Sequence, residues 1–71
     1  MLFKVLIKLS DKKFQKLKLE DLFENLTFNK NKKNWNIEIF TKNLVKDQLF
    51  ISRFLRLKVL KVERIKKKKF S

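Results

Sequence analysis

The chain contains no Cys, His, Gly, Pro, Ala or Tyr. Without Cys and His there is no disulfide, and none of the common zinc sites can form. The same two residues supply most acid–base and nucleophilic catalysis, which otherwise needs a paired, desolvated carboxylate. Carboxylates are few, 7 Asp and Glu against 20 Lys and Arg. Set among lysines, they are expected to titrate low, the wrong direction for an acid catalyst. Ser10, Ser52 and Ser71 have no base to activate them, and no Gly-rich loop is present to cradle a phosphate. The sequence therefore predicts no enzyme, no cofactor, no metal site and no small-molecule substrate.

Long apolar runs are also missing. Nothing approaches the ~18 residues that a transmembrane helix requires, so no transmembrane segment is expected. The opening stretch MLFKVLIKLS is short and punctuated by lysines, unlike a secretory signal. No Arg- and Ser-rich import peptide is visible either. An organellar protein of this sequence would be encoded in the organelle or be in its mature form. The lack of Gly and Pro removes the usual turn markers and leaves Asn to take their place. Gly, Pro and Ala have GC-rich codons, whereas the abundant Lys, Asn, Ile, Phe and Leu mostly have AT-rich ones. That bias points to an AT-rich genome: a mitochondrion, a plastid, or the cytoplasm of an AT-rich organism.

What remains is charge. The 71 residues carry a net +13, a density that favours a polyanionic partner, nucleic acid first and an anionic membrane surface second. A chain of this length makes one domain. It buries only about 60% of its unfolded surface, so it is marginal alone. Residues 1–65 are expected to form a single RNA-binding domain and residues 66–71 a basic tail.

The first apolar pattern alternates. Phe3, Val5, Ile7 and Leu9 share one face, which predicts a strand over residues 2–9. Ser10 offers an N-cap, with Asp11 in the first helical turn. Helix is expected over residues 11–26, as two pieces or one kinked near Lys18, because the Leu19, Leu22, Phe23 and Leu26 stripe is rotated from Phe14 and Leu17. Glu20, Asp21 and Glu24 make a solvated face or pair with lysines. Thr27 to Asn34 reads as a loop. Trp35, Ile37 and Ile39 predict a strand over 35–40, Thr41 to Asn43 a turn, and Leu44 onward a helix to residue 55.

The stretch FISRFLRLKVLKVERI from Phe50 to Ile65 supports two readings. Phe50 with Phe54, and Ile51 with Leu55, are helical pairs. The Val-rich sequence after them favours a strand over 57–65, pairing with Trp35–Phe40 and open to Leu2–Leu9. The rival is one long helix, since Ile51, Leu55, Val59 and Val62 also form a helical stripe. On the first reading Leu57 and Val59 share a layer with Phe54, and Lys58 faces solvent or RNA. The fold class expected is α/β: a small mixed sandwich with an antiparallel sheet of about three strands and the helices on one face.

Three groups of lysines are candidate RNA contacts. Lys12, Lys13 and Lys16 lie at the predicted helix N-terminus, itself a phosphate site. Lys30, Lys32 and Lys33 lie in the predicted loop. Lys66, Lys67, Lys68 and Lys69 form the tail, and Lys58 adds a single contact. Lysines bind phosphate as flexible point charges, with salt-dependent affinity and little base specificity. Trp35 could stack on a base, although its alternating position places it, like most of the Phe residues, in the core.

Three blocks resemble one family. SDKKFQKL is similar to the Thr-(Asp/Glu)-Lys-Ser signature that precedes an apolar helix in large-subunit ribosomal protein twenty-three. NWNIEIFTK resembles that family's aromatic strand, with Trp35 at the usual Tyr position. FISRFLRLKVLKV resembles its helix end: Phe54 and Leu55 form the apolar pair, Arg56 replaces a small residue, and Leu57-Lys58-Val59 stands for Val-Lys-Val. Leu19 to Lys33 would be an insertion, and the family's closing hairpin has no counterpart after Ile65. Small-subunit protein ten is matched through KLSDKKF and IFTK. Large-subunit protein twenty-nine, a helical hairpin, would follow from the long-helix reading. The main resemblance implies a structural ribosomal protein on large-subunit ribosomal RNA, beside the exit of the nascent-peptide tunnel, with neighbouring ribosomal proteins and with Lys12 and Lys13 on RNA. The competing expectations are a lineage-specific accessory subunit of an organellar complex and a basic peptide that binds anionic membranes.

Overall fold

The computed structural model describes residues 1–66. Strand β1 (Leu2–Ser10) leads directly into helix α1 (Asp11–Leu17). A 3₁₀ turn (Leu19–Asp21) follows, then β2 (Leu26–Asn31) and β3 (Asn34–Thr41). Helix α2 (Leu44–Leu49) continues into a π-helical turn (Phe50–Phe54), and β4 (Val59–Ile65) closes the fold. The sheet is antiparallel, in the order β2-β3-β1-β4. This is the split β-α-β connectivity, in which each helical crossover skips the strand that fills the gap. The α/β class, the antiparallel sheet and the helices packed against one side are as the sequence predicts.

The packed face of the sheet is built from alternation. Val5, Ile7 and Leu9 on β1 lie opposite Ile39, Ile37 and Trp35 on β3. With Leu19, Phe23, Ile51 and Leu57 the aliphatic residues form the buried core. Burying one such side chain contributes roughly 1.5–3 kcal/mol. Phe14 and Leu17 of α1, and Leu44, Phe50 and Leu55 of the second crossover, pack against that core.

Several expectations are corrected in detail. The sheet has four strands, because Thr27 to Asn34 is a hairpin rather than a loop. Phe28 and Lys30 pair with Ile37 and Trp35, while Thr27 and Asn29 pair with Glu38 and Asn36. Period-2 order is present, but Asn and Lys occupy an exposed edge strand and conceal it. The first helix ends at Leu17, since Lys18 adopts φ 48°. Two more of the described residues have positive φ, Lys32 at 57° and Arg56 at 55°. Lys32 is the first of the two residues in the β2–β3 turn, a place that demands this sign and usually takes Gly. In a chain without Gly, long basic side chains occupy all three positions, at a cost of about 1 kcal/mol each.

The final third is helix and then strand, so the long-helix reading is excluded. However, β4 pairs with β1 and not with β3. Its register slips between Leu6, opposite Lys61, and Ile7, opposite Val59. Leu60 is the extra residue of a β-bulge. That bulge puts Val59 and Val62 on one face at a spacing of three, which is how a strand came to imitate a helical stripe. Leu57 is buried and Val59 is half-buried over the core, but Phe54 is 80% exposed and does not share their layer. Among the described Phe residues, Phe23 is buried and Phe14 and Phe50 pack against the core, whereas Phe28 and Phe54 are exposed and depart from the expectation of core placement.

Candidate nucleic-acid interface

The N-terminus of α1 is tied to the β2–β3 turn. Ser10 caps the helix by accepting a hydrogen bond from the Lys13 amide at 3.3 Å. The Asp11 amide donates to the Lys33 carbonyl at 3.3 Å. Trp35 Nε1 donates to Asp11 Oδ1 at 2.7 Å, and Lys30 Nζ lies 3.8 Å from the same oxygen. Behind these contacts the Phe14 and Trp35 rings stack at 3.9 Å and 10°. Phe28 packs against both, tilted on Phe14 at 5.2 Å and edge-on to Trp35 at 5.8 Å. Lys30 Nζ sits 5.8 Å from the Trp35 ring centroid, a cation–π distance. The hydrogen bond from Trp35, and then the Lys30 charge, hold Asp11 below the ordinary carboxylate value.

This clasp brings two of the three predicted lysine groups together. Lys12, Lys13 and Lys16 lie on the outward side of α1, where with Gln15 they line a shallow depression. Lys32 and Lys33 form the adjoining turn. Among the described residues none of these five makes an ion pair. The helix itself has seven residues and carries Asp11 in its first turn, so the phosphate site expected at its N-terminus is left to the lysines alone. Lys58 is exposed and leads into β4 at the same end of the sheet, on the far edge.

Lys66 is not brought into this group. It follows Ile65, which pairs with Leu2, whereas Ser10 and the hairpin turn mark the other end of β1. At 3.3–3.4 Å per residue the two ends lie roughly 27 Å apart. Lys66 instead borders a depression with Lys42 and Arg64, two cations that the sequence reading passed over. Lys67, Lys68 and Lys69 lie outside the described residues.

The opposite face of the sheet is chemically different. Lys4 bridges Glu38 at 3.2 Å and Glu63 at 3.4 Å, across three neighbouring strands. Thr27 Oγ1 donates to Glu38 at 2.7 Å, and Lys61 lies 3.2 Å from Glu63. Accordingly Glu38 is lowered, first by Thr27 and then by Lys4. Glu63 is lowered, first by Lys61 and then by Lys4. Lys4 is raised, first by its hydrogen bond to Glu38. Glu20, Asp21 and Glu24 are exposed and make no ion pair among the described residues.

Sequence reasoning missed Phe28, which it had placed in a loop, and the tying role of Asp11. The spacing of Phe28 and Lys30 was the available signal for the first. Trp35 is only partly buried, and its ring is engaged by Phe14. Among the described residues no cluster of potential metal ligands occurs, and no helix is long and apolar enough to cross a membrane. No family model, no curated protein and no solved structure matches this chain.

Proposed function

We propose that this chain is a structural protein of the ribosome that binds ribosomal RNA through the end of the sheet where α1 meets the β2–β3 turn. The observation that carries the reading is the gathering of Lys12, Lys13, Lys16, Lys32 and Lys33 there without acidic partners among the described residues. A surface of unpaired lysines on a rigid base suits a phosphate backbone. Lys58 extends the surface along the same end, and Lys66 with Lys42 and Arg64 provides a second foothold at the other. The proposal narrows to the large subunit, beside the peptide exit, on the resemblance of three sequence blocks.

A second contact is favoured by a separate observation. Val45, Leu49, Phe54 and Leu22 are large apolar residues left exposed on the second crossover and beside it. Such a patch suits a neighbouring ribosomal protein better than RNA. The accessory-subunit and membrane alternatives make different predictions. In co-sedimentation, the chain should pellet with large ribosomal subunits at low salt and be released as salt rises. Persistence in the supernatant at low salt, or pelleting only with anionic liposomes, would contradict the proposal.

A further inference from the structure

Phe28 is 47% exposed, the most open ring of the aromatic cluster at the α1–hairpin clasp. Its position is fixed from behind by Phe14 and Trp35, at 5.2 and 5.8 Å. A ring held in this way loses little further freedom when a ligand lies on it. Lys30 stands two residues along on the same face of β2, roughly 7 Å away. The lysines of α1 and the turn surround the clasp. Trp35 is the less open ring: it is partly buried, Phe14 covers one side of it at 3.9 Å, and Lys30 Nζ sits 5.8 Å from its centroid. Phe54 is more exposed, but it lies with Val45 and Leu49 on the second crossover.

We propose that Phe28 is a stacking platform for an unpaired nucleobase, so that this site takes single-stranded RNA in preference to duplex. One base lies on the open side of the Phe28 ring, and the flanking phosphates meet Lys30 and the lysines of α1. Bases inside a duplex are stacked on each other and cannot reach the ring, whereas those of loops and bulges can. The inference rests on the RNA-binding reading and adds to it the class of RNA. It also accounts for an exposed phenylalanine among lysines, which phosphate binding alone does not need.

The test uses the whole chain with oligouridylate and with a duplex RNA of equal charge. Trp35 is the only tryptophan, and it reports on the neighbouring ring. Oligouridylate should quench its fluorescence more strongly than duplex. Phe28→Leu should weaken oligouridylate binding about 5- to 100-fold, with the salt slope and duplex affinity unchanged. Phe28→Tyr, which keeps the ring, should retain the affinity, and circular dichroism of both variants should match the parent. If Phe28→Leu leaves oligouridylate binding intact, or weakens both RNAs alike, the platform is wrong while RNA binding stands. If the parent chain binds neither RNA, the RNA-binding reading itself falls.

Discussion

The two sides of the sheet use lysine in opposite ways. On the open side Lys4 is held between Glu38 and Glu63, and Lys61 joins the row. Its cations are nearly matched by carboxylates, and the row ties β3, β1 and β4 together. On the helical side, at the α1–hairpin clasp, five lysines have no acid partner among the described residues. Asp11, the carboxylate that closes the clasp, is engaged by Trp35 and Lys30. Four-stranded sheets that read RNA commonly do so on an open face through aromatic residues. Here that face carries two glutamates, on the strands that flank β1. The proposed RNA surface therefore rests on the distribution of unpaired charge and not on the connectivity.

The largest effect should come from the core that both sides share. Ile37→Ala should cost about 2–5 kcal/mol in urea unfolding and disable both sides together. A loss of RNA affinity without loss of stability would show that Ile37 is not merely structural. Asp11→Ala should separate the two properties. It removes the acceptor for Trp35 Nε1 and also deletes a negative charge from the clasp. Stability should therefore fall while RNA affinity holds or rises. If both fall together, the clasp is an essential part of the RNA surface.

Acid and base should act mainly through the open side and Asp11. The folded values of Asp11, Glu38 and Glu63 are lowered from 3.8, 4.5 and 4.5. Their contribution is complete above those values and fades as pH falls through the depressed ones. Lys4 is raised from 10.5, so its contribution is present below that value and fades as pH climbs above it. The thermal midpoint should thus be nearly flat from about pH 5 to 10 and decline on either side. Glu38→Gln should shorten the acid limb. These groups are solvent-facing, so the effect is the smallest of the three.

The central strands were legible because their alternation coincides with burial: Val5, Ile7 and Leu9 on β1, Ile37 and Ile39 on β3. Ser10 was legible as a cap for a similarly local reason. β2 was not, because its inward face holds only Leu26 and Phe28 before Lys30 takes the next inward position, too short an apolar alternation to stand out among Asn, Lys and Thr. The pairing of β4 with β1 was hidden by the Leu60 bulge, which breaks alternation at the point where register is read. Of the site, the lysine groups were visible as composition. Their grouping was not, because it depends on a hairpin that places Lys33 against Asp11, and on strand direction, which sends Lys66 to the far end. The clasp itself joins residues 24 apart in sequence, Asp11 and Trp35, and no local pattern announces such a pair.

Under the proposed function, RNA affinity should follow where the unpaired lysines lie and not how much charge the chain carries. Two double variants test this at equal net charge: Lys12→Gln with Lys13→Gln on α1, and Lys8→Gln with Lys61→Gln on the open side. The measurement is the slope of log affinity against log salt for a single-stranded ribosomal RNA fragment. The α1 pair should flatten the slope by about 0.7 for each phosphate that is no longer neutralised and weaken binding, while the open-side pair leaves both near the parent. Equal weakening by the two pairs would show that binding follows total charge, and would contradict the assignment of the interface to the α1–hairpin end.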